Sequence, residues 1–182
     1  NSAFSGTIGL PLPGIDIAIK DEDGHDVSLG DAGEICIRGP NVTPGYYQQP
    51  QENALAFTAD GFLRTGDIGM MDREGYTRII DRKKDMILVS GFNVYPNEVE
   101  DVVSQLPGVL ECAVVGVPDD KTGEAVKLVI VKKDPGLSEA TVREYCRANL
   151  TGYKQPRVIE FRAEMPKTPV GKILRRELRD KK

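Results

Sequence analysis

The chain has one histidine, three cysteines and no long apolar run, and each shortage closes off a class of function. His25 lies in the polar stretch Asp23-Gly24-His25-Asp26 and reads as an exposed turn residue. One histidine and no clustered cysteines leave too few ligands for a catalytic zinc, so no metal site is expected. A Ser-His-Asp hydrolase would have to rest on His25 alone, and no GxSxG elbow is present. Cys36, Cys112 and Cys146 form no CxxC pair, so they read as free thiols of a reducing compartment, inert where buried. No apolar run approaches the roughly 20 residues that span a bilayer. No signal-peptide pattern is present either, and a cytoplasmic chain is expected. The opening Asn1-Ser2-Ala3-Phe4 has no methionine, which fits a piece of a longer protein.

What is present is the composition of a globular protein. Of 182 residues, 40% are hydrophobic and 29% charged, which argues for packing rather than disorder. That length suits one ordinary domain or two small ones. The charge is uneven: residues 1–81 hold 13 acidic and 5 basic side chains, a net of −8, and residues 82–182 carry a net of +4. Such asymmetry suggests two units with different partners. A basic half suits phosphates, a membrane surface or nucleic acid. The plainer source of the excess is the tail 172–182, which alone carries six basic residues. Nucleic acid is not an expected partner, because no reading motif or interleaved aromatics accompany the tail.

The first half reads as short strands joined by turn chemistry. Ile15-Asp16-Ile17-Ala18-Ile19-Lys20 alternates with period two, and Asp21-Glu22-Asp23-Gly24 is a turn. Further strands are expected over 33–39, 62–65 and 76–80, with a short helix between 50 and 59. Several short strands at close spacing predict a small β-barrel-like subdomain over 1–81. The second half alternates strands and helices. Strands are expected over 86–89, 109–117, 125–131 and 158–161. Helices are expected over 97–106, capped by Asn97, and 139–150, capped by Ser138. A short basic helix is expected over 173–179. The fold class is therefore mixed α/β, with a compact α+β domain over 82–182. The charged run Asp81-Arg82-Lys83-Lys84-Asp85 separates the two as a turn or exposed linker.

Four segments have chemical potential, though each alone has a plainer explanation. In Arg64-Thr65-Gly66-Asp67-Ile68-Gly69 the glycines let the backbone bend and expose the Asp67 carboxylate, which suits two ribose hydroxyls. Taken alone it is as readily an Asx turn. Arg82 offers a planar donor fork for sugar or phosphate, or is a solvated loop residue. Gly91, in Val89-Ser90-Gly91-Phe92-Asn93-Val94-Tyr95-Pro96, permits close approach to a ligand, or marks a bulge. Lys172 follows Gly171 on a Pro/Gly loop and can neutralise developing negative charge, or is one more tail lysine. The loop is not a Walker A motif, since Ile173 follows the lysine.

Together the segments are less ambiguous. The succession Phe62-Leu63-Arg64-Thr65-Gly66-Asp67, Ile80-Asp81-Arg82-Lys83-Lys84-Asp85, Ser90-Gly91-Phe92-Asn93-Val94-Tyr95-Pro96-Asn97-Glu98-Val99-Glu100 and Pro169-Val170-Gly171-Lys172-Ile173 resembles the adenylate-forming superfamily. That superfamily includes acyl-CoA synthetases, luciferases and peptide-synthetase adenylation domains. The similarity extends from Gly9-Leu10-Pro11 to Leu178, and the stretch 81–96 most resembles bacterial long-chain fatty-acid–CoA ligases.

The resemblance implies the C-terminal part of an enzyme that joins a fatty acid to CoA through acyl-AMP, with ATP, CoA and Mg2+ required. It implies that Asp67 and Arg82 bind the ribose, that Lys84 is the hinge within 82–85, and that Ser90, Gly91 and Phe92 line the CoA tunnel. Lys172 would be catalytic in one domain orientation and withdrawn in the other. The superfamily's phosphate loop and acyl pocket are absent from the chain, so this piece alone is expected to be inactive. The full enzyme is expected to be cytoplasmic, with peripheral contact to the inner face of the membrane. A non-catalytic nucleotide-, CoA- or protein-binding module, or a ligase for an aryl or medium-chain acid, stands as the alternative.

Overall fold

The computed structural model describes residues 6–179; both ends of the expected domains, 1–5 and 180–182, lie outside the described residues. The chain divides into two compact units, Asn1–Lys84 and Asp85–Lys182. The mixed α/β class holds.

The first unit is an antiparallel meander in which β1 (Asp16–Lys20), β2 (Gly33–Arg38), β3 (Leu63–Met71) and β4 (Thr77–Arg82) lie side by side in chain order. Helix α1 (Pro50–Ala56) sits in the connection from β2 to β3. No ladder joins β1 to β4 among the described residues, so the barrel-like closure expected of this half does not form. Four short strands are too few to curl round and meet, since even small barrels use more. The core is small, with Ile19, Ile35, Cys36, Phe62 and Ile68 buried. A buried lysine reinforces it. Lys20 Nζ bonds Asp26 (2.8 Å), Asp60 (2.9 Å) and the carbonyl of Gly24 (3.2 Å), fastening the β1–β2 turn to the loop before β3.

Two expectations for this unit need correction. Strand β3 does not stop at Thr65; it runs nine residues, because Gly66 serves a bulge and Gly69 a close strand contact rather than ending the pairing. A Cβ on Gly69 would stand 2.5 Å from the carbonyl oxygen of Arg78 on β4 and 2.6 Å from Ile35 Cδ1. The charged run at 81–85 is not wholly a linker. Strand β4 continues through Arg82, and Asp81 is buried there with its Oδ1 accepting the Arg82 N–H at 2.7 Å. A satisfied carboxylate can occupy a strand that an unsatisfied one would break. Lys83–Asp85 then forms a single 3-10 turn.

The second unit is built on a long hairpin of β7 (Val109–Asp119) and β8 (Gly123–Lys132). Beyond β8 lie the short hairpin of β5 (Ile87–Val89) and β6 (Phe92–Val94), joined to β8 at Val89↔Gly123, and β9 (Val158–Arg162), which pairs with β8 in parallel. Both faces of the hairpin are covered, which is why β8 is apolar without alternation from Leu128 to Val131. Val114, Val126, Leu128 and Ile130 face α2 (Pro96–Ser104) and α3 (Glu139–Asn149), which contribute Val99, Val103, Val142 and Cys146. Ala113, Val115, Val129 and Val131 face the C-terminal segment through Met165, Ile173 and Leu178.

Helix α3 begins as expected, with Ser138 Oγ accepting the Thr141 N–H. Helix α2 does not start on an Asn97 cap. Pro96 takes the first helical position, where its fixed φ and missing N–H cost nothing, and Asn97 turns its side-chain oxygen to Arg175 Nη2 at 2.9 Å. The expected tail helix over 173–179 is only a 3-10 turn, Arg175–Glu177. Ile173 is used in a bridge to Lys167 and Leu178 must reach the core, which leaves too few residues to nucleate an α-helix. All three cysteines are free, and burial pushes the thiols of Cys36 and Cys112 up to about 11 and about 12. No described helix is long and apolar enough to cross a membrane.

Leu128 is fully buried between the hairpin and both helices. Leu128→Ala is expected to destabilise the second unit by about 2–5 kcal/mol, measured as the loss in urea unfolding free energy.

Candidate functional site

In the first unit the sheet brings Asp67 and Arg82 together. They are cross-strand partners in the β3–β4 ladder, flanked by irregularities on both sides. Toward β2, the partners jump from Glu34↔Ile68 to Cys36↔Arg64, so that Thr65, Gly66 and Asp67 bulge out of the ladder. Toward β4, Ile80 is an extra residue between Asp81 and Ile79. Bulges of this kind re-aim side chains at the edge of a site. Gly66 has φ +74°, a conformation that a side chain would strain, and nothing lies within 4 Å of where its Cβ would be. Thr65 Oγ1 donates to the carbonyl of Ile35 at 2.7 Å and accepts the Asp67 N–H at 3.1 Å.

Arg82 Nε stands 2.7 Å from Asp67 Oδ1, with the arginine side chain 60% exposed and the aspartate 23%. Among the described residues no well-directed hydrogen bond reaches that buried carboxylate oxygen. The pair therefore presents an exposed guanidinium beside a carboxylate whose side chain is 23% exposed. Such an arrangement can take hydroxyl donors without a further rearrangement of charge.

Behind the bulge stands a residue that sequence reasoning missed. Glu34 on β2 has a side chain only 5% exposed, and its Oε2 accepts from Arg64 Nη1 and Lys83 Nζ, each at 3.1 Å. Its Oε1 accepts the Gly66 N–H at 3.1 Å. Burial acts to raise the carboxyl's affinity for a proton, but the bonds from Lys83, Arg64 and Gly66 outweigh it and hold the group below its ordinary value of 4.5. The available signal was a lone acid in the otherwise apolar strand Gly33-Glu34-Ile35-Cys36-Ile37.

In the second unit, Ser90 and Gly91 form the two-residue turn of the β5–β6 hairpin. Both have positive φ, +51° and +83°, as the twist of a tight hairpin requires. No strand was expected between 89 and the helix at 97, and the short strand Phe92–Val94 lies there. Phe92 is exposed and stacks on Tyr153, with ring centroids 4.9 Å apart.

Lys172 lies on a separate exposed loop in the same unit. The Gly171 N–H donates to the Thr168 carbonyl (2.9 Å), the Thr168 N–H to the Lys172 carbonyl (2.8 Å), and the Lys172 N–H to Thr168 Oγ1 (3.1 Å). Gly171 has φ +81°. Just beyond, Arg175 Nη2 bonds both oxygens of Glu100 at 2.8 Å, and Glu100 Oε1 also accepts the Val114 N–H at 2.7 Å. The loop is thereby held at its base while its lysine stays in solvent. Lys84, at the end of the first unit, is exposed.

Comparison with known proteins gives these positions a family. A long-chain-fatty-acid–CoA ligase of Escherichia coli O157:H7 is 59% identical over 176 residues, which are 97% of this chain and 31% of the relative. The model for AMP-binding enzymes matches residues 1–47, and that for the AMP-binding enzyme C-terminal domain matches residues 98–172. This chain belongs to the AMP-binding enzyme family. It spans about a third of the length of the curated relatives it matches.

Two solved structures extend the likeness to three dimensions. The crystal structure of ATP-bound MatB from Rhodopseudomonas palustris matches with a TM-score of 0.88 and 38% identity, covering 95% of this chain and 35% of that one. The o-succinylbenzoate CoA synthetase MenE of Bacillus subtilis, in complex with its acyl-adenylate intermediate, matches with a TM-score of 0.84 and 34% identity, covering 97% and 36%.

The Glu34 network has a consequence for acid stability. Because its folded proton affinity is depressed, its contribution is complete above the ordinary value of 4.5 and is lost as pH falls through the lower folded value. Glu34→Gln is expected to cost about 1–3 kcal/mol at pH 7. The gap from the parent protein should close as pH drops well below 4.5, as urea midpoints across that range would show.

Proposed function

We propose that this chain supplies the ribose clamp, the hinge and the adenylation lysine of an ATP-dependent fatty-acid–CoA ligase. In the first half-reaction a carboxylate oxygen attacks the α-phosphorus of ATP, giving acyl-AMP and releasing pyrophosphate. In the second, the thiol of CoA attacks the acyl carbonyl and AMP leaves. The observation that carries the reading is the Asp67–Arg82 pair, an acceptor and a cation set side by side between two bulges.

In this reading Asp67 accepts the two ribose hydroxyls of ATP and then of the adenylate, and Arg82 donates to the same sugar. Lys172 meets the repulsion between an anionic carboxylate and an anionic phosphate by placing a cation between them. Thioester formation needs the carbonyl open to a thiol, so the lysine must withdraw, and Lys84 at the junction of the units serves as the hinge. The Ser90-Gly91-Phe92 turn lines the path of the pantetheine arm. Nothing lies within 4 Å of a Cβ on Gly91, so an extended chain can run close against the backbone there.

The high identity to a fatty-acid ligase supports a long-chain fatty acid as the carboxylate. A cytoplasmic enzyme in peripheral contact with the inner face of the membrane follows from a substrate that partitions into lipid and a co-substrate that does not. The described residues do not fit a Mg2+ site for the triphosphate. Asp67 already faces a guanidinium, and the grouped Asp21, Asp23 and His25 are exposed on a turn. The phosphates and their cation are assigned to the remaining two-thirds of the enzyme.

Two substitutions in the full-length enzyme test the assignment. Lys172→Ala is expected to slow ATP–pyrophosphate exchange by roughly 10²–10³-fold while leaving conversion of supplied acyl-AMP to acyl-CoA within a few-fold. Equal losses in both half-reactions would rule out the adenylation role. Asp67→Ala is expected to weaken both, because the adenylate is held throughout. Its KM for ATP should rise by roughly thirtyfold, the equivalent of about 2 kcal/mol for charge-assisted hydrogen bonds. An unchanged ATP KM removes the ribose role.

A further inference from the structure

Glu34 has no role in the reaction as described, yet it touches the neighbours of both ribose residues. Gly66, whose N–H it accepts, precedes Asp67; Lys83, whose ammonium it binds, follows Arg82. The strands cannot supply this support themselves. Thr65, Gly66 and Asp67 have left the β2 ladder, and the β3–β4 ladder changes register at Ile80.

Packing does not supply it either. Glu34, Arg64, Thr65, Gly66 and Lys83 line an open cavity of about 510 Å³, together with Tyr46 and Leu55. A backbone segment that borders a void must be held by directed bonds, because the close-packed contacts that fix core side chains are missing on that side. The buried carboxylate provides three such bonds, two of them from cations.

We propose that Glu34 is a positioning residue, resting on the ribose reading above: it holds the Thr65–Asp67 bulge and the step from Arg82 at the end of β4 to Lys83 in the geometry that receives the sugar. It touches no substrate and acts through Asp67 and Arg82.

Two measurements separate this role from general stabilisation. The first uses the 182-residue chain and amide hydrogen exchange followed by NMR. Glu34→Ala should raise the exchange rate of the Gly66 amide at least tenfold and leave core amides of the second unit, such as that of Leu128, unchanged. The second uses the full-length enzyme and steady-state kinetics. Glu34→Gln should raise the KM for ATP at least fivefold with the KM for CoA unmoved. In an Asp67→Ala background the same change should move the ATP KM by less than twofold, since the residue it acts through is gone.

Lys83→Met keeps the Arg64 and Gly66 contacts and should raise the ATP KM in the same direction by a smaller factor, which covers the case in which Glu34→Ala does not fold. Unaltered exchange at Gly66, or a full additive effect in the Asp67→Ala background, overturns the positioning role and leaves the ribose reading standing. An unchanged ATP KM in Asp67→Ala overturns that reading and the positioning role with it.

Discussion

Taking a carboxylate out of water costs several kcal/mol unless cations and N–H groups replace the lost hydration, and the first unit is arranged around meeting that demand for Glu34. Arg64 comes from β3, Lys83 from the 3-10 turn that follows β4, and the third donor is the main chain of the β3 bulge itself. Because the donors come from β3 and from the turn after β4 while the acid is on β2, satisfying one buried charge also fixes the relative positions of the segments that carry them. The second unit uses the same device. Glu100 on α2 accepts the Val114 N–H from β7 and grips Arg175 from the tail, and Glu124 on β8 accepts the Leu88 N–H from β5. In each case an acid joins an irregular or short segment to a regular one.

Such devices are needed because the elements bearing exposed chemistry have little core of their own. The β7–β8 hairpin is packed on both faces and is rigid for that reason. The Ser90-Gly91 turn and the Lys172 loop project from that platform. Each is fixed by turn geometry and a few side-chain bonds rather than by burial. Functional groups on short loops seated on a packed scaffold can be presented to solvent without losing position.

How much of this was legible in sequence differs by element. The long apolar runs of β7 and β8 and the Ser138-capped helix were readable, because local pattern and burial agree there. Asp67, Arg82 and Lys172 were readable as candidates, since a motif names residue types at fixed spacing. The Glu34 hub was not, because its meaning depends on donors 30 to 49 residues away. The extent of β3 was hidden for a related reason. Gly66 and Gly69 look like strand terminators locally, but one serves a bulge and the other a close strand crossing. Asp81 was misjudged because a buried aspartate is acceptable only once its partner, here the next backbone N–H, is known.

The lysines show why exposure matters to the proposed chemistry. Lys20 is 3% exposed and committed to two carboxylates, which raise its proton affinity against the opposing effect of burial. Lys127 is buried against Glu160. Their charge is already neutralised, so neither can offer a net cation to an incoming anion without first breaking a pair that is costly to break. Lys172 makes no ion pair among the described residues, and its ammonium stays hydrated on an exposed loop whose base is clamped through Arg175. A hydrated cation has little field at a distance, because dissolved salt screens it within about 10 Å at ordinary ionic strength. It becomes strong only when brought against substrate in a site that excludes water. A lysine held this way is inactive by default and effective on delivery, which is the property that an enzyme needs if one half-reaction requires the charge and the next must be free of it.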